Sequence, residues 1–488
     1  MIVMKFGGSS VASATAIEWV VGIVKQHLER RPVVVVSAMG KTTDRLQEMF
    51  QHATRGSAYS AWRQLEDLRQ FHIQETKRLL GQNAREILQN RIEPLFRELH
   101  GILIELEEGR KPTDALKDRV LSFGERLSSE IVAAALQHNG GIPVSHVHAP
   151  DVIVTDNRFT CAKPLLWETY AKLRRTVAIA ARQTVVVMGG FIGATADGAI
   201  TTLGRGGSDL TGSLVGAGIS ADEIQIWTDV DGMLSCDPRV LHGGYLLRSI
   251  AYDEAEEMAR LGAKVLCEST VGPAVRQGIP IVVRNSRHPE IEGTLVGPGA
   301  VRKPGTVKSI ACRKDMAVVH LTVRSIAGLA GIVEGLNDLF VRHGIAVQLV
   351  QGRPDGVSFA VTDSSCLPEI LRQIDERVQV SVEEHMAVVS LVGSGITADD
   401  GTAIRMQKAL KTGQVRMMAR GSSLLSISVA IPEAGLLAAV EELHREFFRA
   451  TDPDIFVATP ESERHAATAV SRSAANPALG LALADARS

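Results

Sequence analysis

Val33-Val34-Val35-Val36, followed by Ser37-Ala38-Met39-Gly40, is the stretch that decides the fold. Four β-branched residues in a row leave no polar face, so a strand built from them has to be covered on both sides. The same design recurs at Thr184 to Met188, which ends at Gly189-Gly190, and two more strand-like stretches stand at Ile224 to Trp227 and Ile279 to Val283. Longer amphipathic stretches separate these runs. Buried strands alternating with helices predict an α/β domain with a mostly parallel central sheet. Ligands of such sheets sit beyond the carboxyl ends of the strands, and most of these runs are followed by Gly, Ser or Thr.

Working outward, residues Asp44 to Lys117 are rich in Arg, Glu, Gln and Leu at helical spacing and predict a helical excursion. The segment Gly293 to Thr306, with four glycines and two prolines, marks a domain boundary. Beyond it the chain repeats itself: Met316-Ala-Val-Val-His-Leu returns as Met386-Ala-Val-Val-Ser-Leu. Each copy leads to an amphipathic helix (Gly331 to His343; Thr402 to Leu410) and then to strands such as Val357 to Val361 and Leu424 to Val429. The expected domains are therefore 1–298, then two small modules at 307–384 and 385–459. The Ala- and Ser-rich stretch 460–488 reads as a flexible tail.

With 53 basic against 55 acidic residues in 488, the net charge of −2 gives no field suited to nucleic acid or to a polybasic membrane contact. The five scattered cysteines show no metal-ligand spacing, and free thiols fit a reducing compartment. No basic n-region with a long apolar core opens the chain, and no apolar run is long enough to cross a bilayer. A cytoplasmic protein is expected.

Four segments carry chemistry. Lys5-Phe-Gly-Gly-Ser-Ser10 links the first strand to the first helix, where Gly7 and Gly8 let backbone N–H groups approach a phosphate and Lys5 can reach it. The same residues also make an ordinary strand-to-helix turn, and they are not a P-loop. Leu121-Ser-Phe-Gly-Glu-Arg-Leu-Ser128 sets Glu125 ahead of an apolar helix, a position that the helix dipole favours with or without a ligand. Thr201-Thr-Leu-Gly-Arg-Gly-Gly-Ser-Asp209 concentrates Arg205, Ser208, Asp209 and three glycines in one loop, a combination that suits a carboxylate or phosphate. Trp227-Thr-Asp-Val-Asp-Gly232 continues to Asp237-Pro-Arg239, and its aspartates serve turns as readily as ligands. Neither a clustered histidine motif nor a nucleophile elbow occurs.

In this order, together with Ser37-Ala-Met-Gly-Lys-Thr-Thr-Asp44, Gly189-Gly-Phe-Ile-Gly193 and Gly262-Ala-Lys-Val-Leu266, the blocks resemble those of aspartokinases of the amino-acid kinase family over nearly the whole chain. The resemblance implies the three-layer amino-acid kinase fold followed by two ferredoxin-like α+β ACT domains. It also implies phosphoryl transfer from ATP, with Mg²⁺, to the side-chain carboxylate of L-aspartate, the first step toward lysine, threonine and methionine. Lys5 with Gly7, Gly8 and Ser9 would hold phosphates, and Thr228, Asp229, Arg239 and Lys264 the rest of the nucleotide. Glu125 would meet the substrate ammonium and Arg205 a substrate carboxylate, with Thr43 and Ser208 adding hydrogen bonds. Asp209 would position Lys5 and the metal-bound phosphates.

An amino-acid effector, lysine or threonine, is expected at the loop of Ser325, Gly328 and Gly331, between paired ACT modules of a homodimer or higher oligomer. Leu234 stands where the family often has Tyr, and Cys267-Glu268 where it often has His-Pro. Two other readings are a kinase for glutamate, acetylglutamate or a nucleoside monophosphate, and a catalytically dead amino-acid sensor. The intact Lys5, Glu125, Arg205 and Asp209 speak against the sensor. No fused homoserine dehydrogenase is expected, because too few residues follow Thr459 in this sequence for a dinucleotide-binding domain.

Overall fold

The structure, a computed structural model, describes residues 1–263, 268–323, 329–362, 366–374, 378–398, 400–410, 415–421 and 423–457. The tail 460–488 thus lies outside the described residues, as do Lys264, Cys267, Ser325 and Gly328. The chain folds into two compact units, Met1–Met233 with Val265–Ala300, and Leu234–Lys264 with Val301–Ser488.

The first unit is built on a sheet whose strands run in the order Val144–Val147, Val185–Gly189, Pro32–Val36, Ile2–Phe6, Glu223–Thr228, Ile281–Asn285 and Thr294–Val296. All neighbours pair in parallel except the last two strands. Every residue of Ile2–Phe6, Pro32–Val36 and Val185–Gly189 is buried; the last two are unbroken apolar runs, and the first is interrupted only by Lys5. The side chains of Ile2, Met4 and Phe6 join Val34, Val36 and the helices Ala14–Gln26 and Phe123–His138 in one core. Val3 and Lys5 point the other way, toward the helix Gly207–Ile219. Helices therefore cover both faces, giving three layers. The expected excursion is helical: Thr42–Thr54, Ala58–Leu80, Glu93–Glu107 and Asp114–Leu121 add Leu65, Leu68, Phe96 and Leu103 to the same core.

The second unit is a six-stranded antiparallel sheet in the order Val347–Arg353, Gly356–Thr362, Ser309–Val323, Val378–Val392, Ser426–Pro432 and Met417–Arg420. The repeat seen in the sequence is also a backbone repeat. Asp315 and His385, each at φ 56°, stand directly before Met316 and Met386 in the two 15-residue central strands. These break points divide each long strand between two modules. The first module uses Met316–Val323, the helix Leu329–Arg342, the two strands after it, and the start of Val378–Val392. The second starts at Met386 and receives Ser309–Arg313 as its fourth strand, paired with Val388–Val392. The modules are thus nested rather than strictly tandem.

Alternation along the central strands separates two cores. Ala317, Val319 and Leu321 pack with Leu336 and Phe340 of the helix, while Met316 and Val318 join Met386, Val388 and Met417 on the opposite face.

Residues of Leu234–Lys264 are tied into this second unit. Lys308 Nζ donates to Glu254 Oε2 at 2.6 Å with both side chains fully buried. Ser235 bonds His444, Tyr245 stacks on His444, and Leu247 pairs with Phe456. Among the described residues no helix is long and apolar enough to cross a membrane.

Candidate active site

The carboxyl ends of the central parallel strands open onto a cavity of about 350 Å³ in the first unit. Strand order explains its place. Ile2–Phe6 and Pro32–Val36 are neighbours and end in Gly7-Gly8 and Ser37-Ala38, while Val185–Gly189 ends beside them. Of the residues expected at a site, Lys5, Gly8, Thr43, Glu125, Arg205, Ser208 and Asp209 line this one cavity, although they are spread over 205 positions of the chain.

Lys5 is next to last in its strand and 8% exposed. Its stem passes along the helix Gly207–Ile219 at Gly212, where an added Cβ would come within 3.3 Å of Lys5 Cβ. Its ammonium forms an ion pair with Asp209, in the first turn of that helix. The helix begins sharply because Gly206, its N-cap, takes the left-handed backbone at φ 73°. Gly207, Ser208 and Asp209 then face the cavity from the helix N-terminus, where the helix dipole and the first-turn N–H groups favour an anion, the Gly207 N–H itself bonding Gly204 O at 3.0 Å.

On the facing wall, Glu125 sits in the first turn of Phe123–His138 and is 3% exposed. Its Oε1 accepts a 3.2 Å hydrogen bond from the Ala38 N–H, and its Oε2 has no partner among the described residues. Burial pushes its carboxyl up to about 8, against the Ala38 hydrogen bond and the nearby Lys5 charge. A buried acceptor without a donor is the feature that a ligand ammonium would complete. Arg205 is exposed at the cavity rim, with no ion pair among the described residues. The cavity therefore offers a buried acid on one side and a free guanidinium on another, with a lysine and a helix N-terminus beyond.

The other expected residues are placed differently. The Gly7 N–H bonds Trp227 O at 2.9 Å, which joins the Lys5 turn to the strand ending at Thr228. Thr228 donates to Asp229 at 3.1 Å, and neither these two nor Ser9 lines the cavity. Arg239 is held by Asp237 through two side-chain bonds, of 2.9 and 2.6 Å, and belongs to the second unit. Lys264, Ser325 and Gly328 fall outside the described residues, while Gly331 is exposed on the helix Leu329–Arg342.

Sequence reasoning gave no role to Phe191, which lines the cavity. It is a bulky residue in the left-handed region, at φ 63°, held by a 3.0 Å bond from its N–H to Thr211 Oγ1 and by Leu203 N–H on its carbonyl. Its trace in the sequence is its place in the block Gly189-Gly-Phe-Ile-Gly193, which follows a buried strand and belongs to the family resemblance.

Comparison with known proteins agrees with this geometry. The family model described as the amino acid kinase family matches residues 1–285, and an ACT domain model matches residues 389–447. Aspartokinase 1, chloroplastic, of Arabidopsis thaliana is 30% identical over 475 residues, covering 92% of this chain and 80% of the relative. Lysine-sensitive aspartokinase 3 of Escherichia coli is 29% identical over 459 residues, covering 92% and 99%. The crystal structure of E. coli aspartokinase III in complex with aspartate and ADP superposes with a TM-score of 0.77 at 27% identity, covering 92% of this chain and all of that one. The same enzyme in complex with lysine and aspartate gives the same score. The chain shares its fold with these solved structures and belongs to the amino acid kinase family, among its aspartokinases.

Proposed function

We propose that this chain transfers the γ-phosphoryl group of MgATP to the side-chain carboxylate of L-aspartate, giving 4-phospho-L-aspartate and ADP. The observation that carries the reading is the unpartnered, buried Glu125 carboxyl facing the same cavity as Arg205, Lys5 and Asp209. An α-amino acid presents an ammonium and a carboxylate at fixed spacing, which Glu125 and Arg205 match in charge. Thr43 and Ser208 add hydrogen bonds to the same ligand. Lys5 and the N–H groups of Gly8 and Ser9 take the phosphates, while the Gly7 N–H stays on Trp227 O, and Thr228 and Asp229 hold the rest of the nucleotide.

The acceptor needs no general base, because an aspartate side chain with a pKa of about 3.9 is ionised at neutral pH. One carboxylate oxygen attacks phosphorus, the bond from phosphorus to the bridging oxygen breaks, and ADP leaves with that electron pair. What the protein supplies is alignment and positive charge: Lys5 and the helix N-terminus face the charge that grows on the phosphates. Magnesium held between phosphates typically takes one or two protein carboxylates, and Asp209 suits that part. Among the described residues no cluster of three acidic, His or Cys side chains offers a separate metal site. When bound with the nucleotide, the ion would offset phosphate charge, with Asp209 as the carboxylate that would hold it.

The ACT modules support feedback control by an amino acid, lysine or threonine, in a homodimer or higher oligomer. The reading is tested by incubating the protein with MgATP and aspartate, glutamate or acetylglutamate, and trapping acyl phosphate with hydroxylamine. Hydroxamate from aspartate alone supports it, as does suppression of that signal by lysine or threonine for the control. Hydroxamate from another acceptor, or from none, overturns it.

A further inference from the structure

Asp118 has no place in the chemistry above, yet it is one of the most completely held carboxylates in the first unit. It is 0% exposed. Its Oδ2 accepts from the Thr160 N–H at 2.8 Å and the Thr202 N–H at 2.9 Å, and its Oδ1 accepts the Thr202 hydroxyl at 2.7 Å. We infer that Asp118 is a positioning residue that holds Arg205 in place relative to Glu125, and so fixes the α-carbon from which the acceptor side chain must reach the phosphate. The inference rests on the reading of Glu125 and Arg205 as the grips for the amino acid's ammonium and carboxylate.

Both ends of the linkage are short and stiff. Asp118 lies in the helix Asp114–Leu121, and its carbonyl accepts from the N–H of Ser122, the N-cap of Phe123–His138. Ser122 itself keeps helical angles, φ −60° and ψ −22°. Glu125 is therefore seven residues along a nearly continuous helical run, about 10 Å at 1.5 Å per residue. At the other end, Thr202 closes the strand Ile200–Thr202, and Arg205 follows three residues later. Between them Leu203 N–H bonds the Phe191 carbonyl, and Gly204 takes φ 74°.

The Thr160 bond holds the floor of the same loop. Thr160 is itself left-handed at φ 68°, and Cys161 after it packs under Gly204, where an added Cβ would lie 3.3 Å from Cys161 Sγ. One carboxylate thus ties the helix of Glu125 to both layers of the Arg205 loop. With the α-ammonium and α-carboxylate both held in place, the α-carbon is fixed, and an aspartate side chain ends one methylene nearer to it than a glutamate side chain. A loop free to shift would lose that discrimination first.

The test is steady-state kinetics of the full chain, with hydroxylamine trapping, for aspartate and glutamate as acceptors. Asp118→Ala is expected to raise KM for aspartate about tenfold or more and to lower the preference for aspartate over glutamate about tenfold, within the range one methylene commands. KM for MgATP is expected to stay within about twofold of the unaltered chain. Asp118→Asn should restore most of the preference, because its Oδ1 can accept both backbone N–H groups while Nδ2 faces a Thr202 hydroxyl that can turn to accept. Thr202→Val, which removes one of the three bonds and keeps the shape, should show a smaller change of the same kind, and it serves if Asp118→Ala does not fold. KM values for aspartate and MgATP rising together, or an unchanged preference in Asp118→Ala or, in its place, Thr202→Val, would overturn the inference. An unaltered chain that makes no hydroxamate from aspartate would instead overturn the reading on which it rests.

Discussion

Each unit of the molecule contains a lysine paired with a carboxylate, and the two pairs are built to opposite ends. Lys5 and Asp209 keep 10% and 18% of their side chains exposed on a cavity wall. Lys308 and Glu254 keep none, and their remaining bonds go to backbone, Val301 O at 2.8 Å and Ala251 N–H at 3.0 Å. A pair open on one side can trade its partner for an incoming phosphate at small cost, since both charges keep access to water. A sealed pair cannot trade, and its members depend on each other. The residue types alone would not separate these uses; the exposure does.

The sealed pair gives the largest expected effect on stability. Lys308→Met leaves the buried Glu254 carboxyl without its partner, and should cost about 3–5 kcal/mol of unfolding free energy in a urea titration. Adding Glu254→Leu should recover most of that loss, because a well-packed apolar pair of similar volume replaces a buried ion pair at little or no cost. A double variant as weak as the single one would break the comparison. The open pair should respond in rate rather than stability. Lys5→Ala is expected to lower turnover about 100- to 1,000-fold, the usual loss when one preorganised donor to developing charge is removed. Its thermal midpoint should stay within a few degrees of the unaltered chain. A large drop in midpoint would mean that Lys5 also serves as a core strut.

Glu125 lies between the two cases, sealed like Glu254 but without a lysine of its own, and it sharpens the comparison through pH. Its folded carboxyl is raised from the ordinary 4.5 to about 8. Between those values the folded chain holds a proton that the unfolded chain has released, so stability falls as pH rises from about 4.5 to 8 and levels off above. Glu125→Gln should flatten that slope, giving a higher thermal midpoint than the unaltered chain at pH 9 and a similar one at pH 4.5. Binding of aspartate at pH 7 should ionise Glu125 and release up to one proton per site, read by calorimetry in two buffers of different ionisation enthalpy. The smallest effect belongs to Arg302 and Asp253, which pair at 2.7 Å with 49% and 47% exposure. Arg302→Ala should change unfolding free energy by less than about 1 kcal/mol.

Much of the first unit can be read from the sequence because its signals are local. Val33 to Val36 needs two covers whatever follows, and the glycines after Lys5 and before Ser208 need a turn whatever binds there. Family resemblance then assembles Glu125, Arg205 and Asp209, which no spacing rule would join. What stays hidden depends on partners far along the chain. Ser309–Arg313 shows no mark of belonging to the module that starts 73 residues after Arg313, at Met386, since pairing register is set only when both strands are in place. The isolation of Glu125 Oε2 and the left-handed turn at Phe191 arise from surrounding packing, to which a string of residue names is blind. Asp118 reads as an ordinary charged residue on an amphipathic helix until Thr160 and Thr202 are brought to it.

The passage of Leu234–Lys264 into the second unit bears on how the chain is made. Emerging from the ribosome, this stretch appears before the strands Ile281–Asn285 and Thr294–Val296, which complete the first sheet. Its own partners come later still, and Ser235 meets His444 across 209 residues of chain. For that interval the nascent protein carries a finished or nearly finished first unit from which a segment bearing Tyr245, Leu247 and Glu254 hangs unclaimed, the kind of exposed apolar stretch that holding chaperones bind. A cut after residue 300 would reproduce the same predicament permanently. It would strand the segment on one fragment and leave Lys308 on the other without its acid.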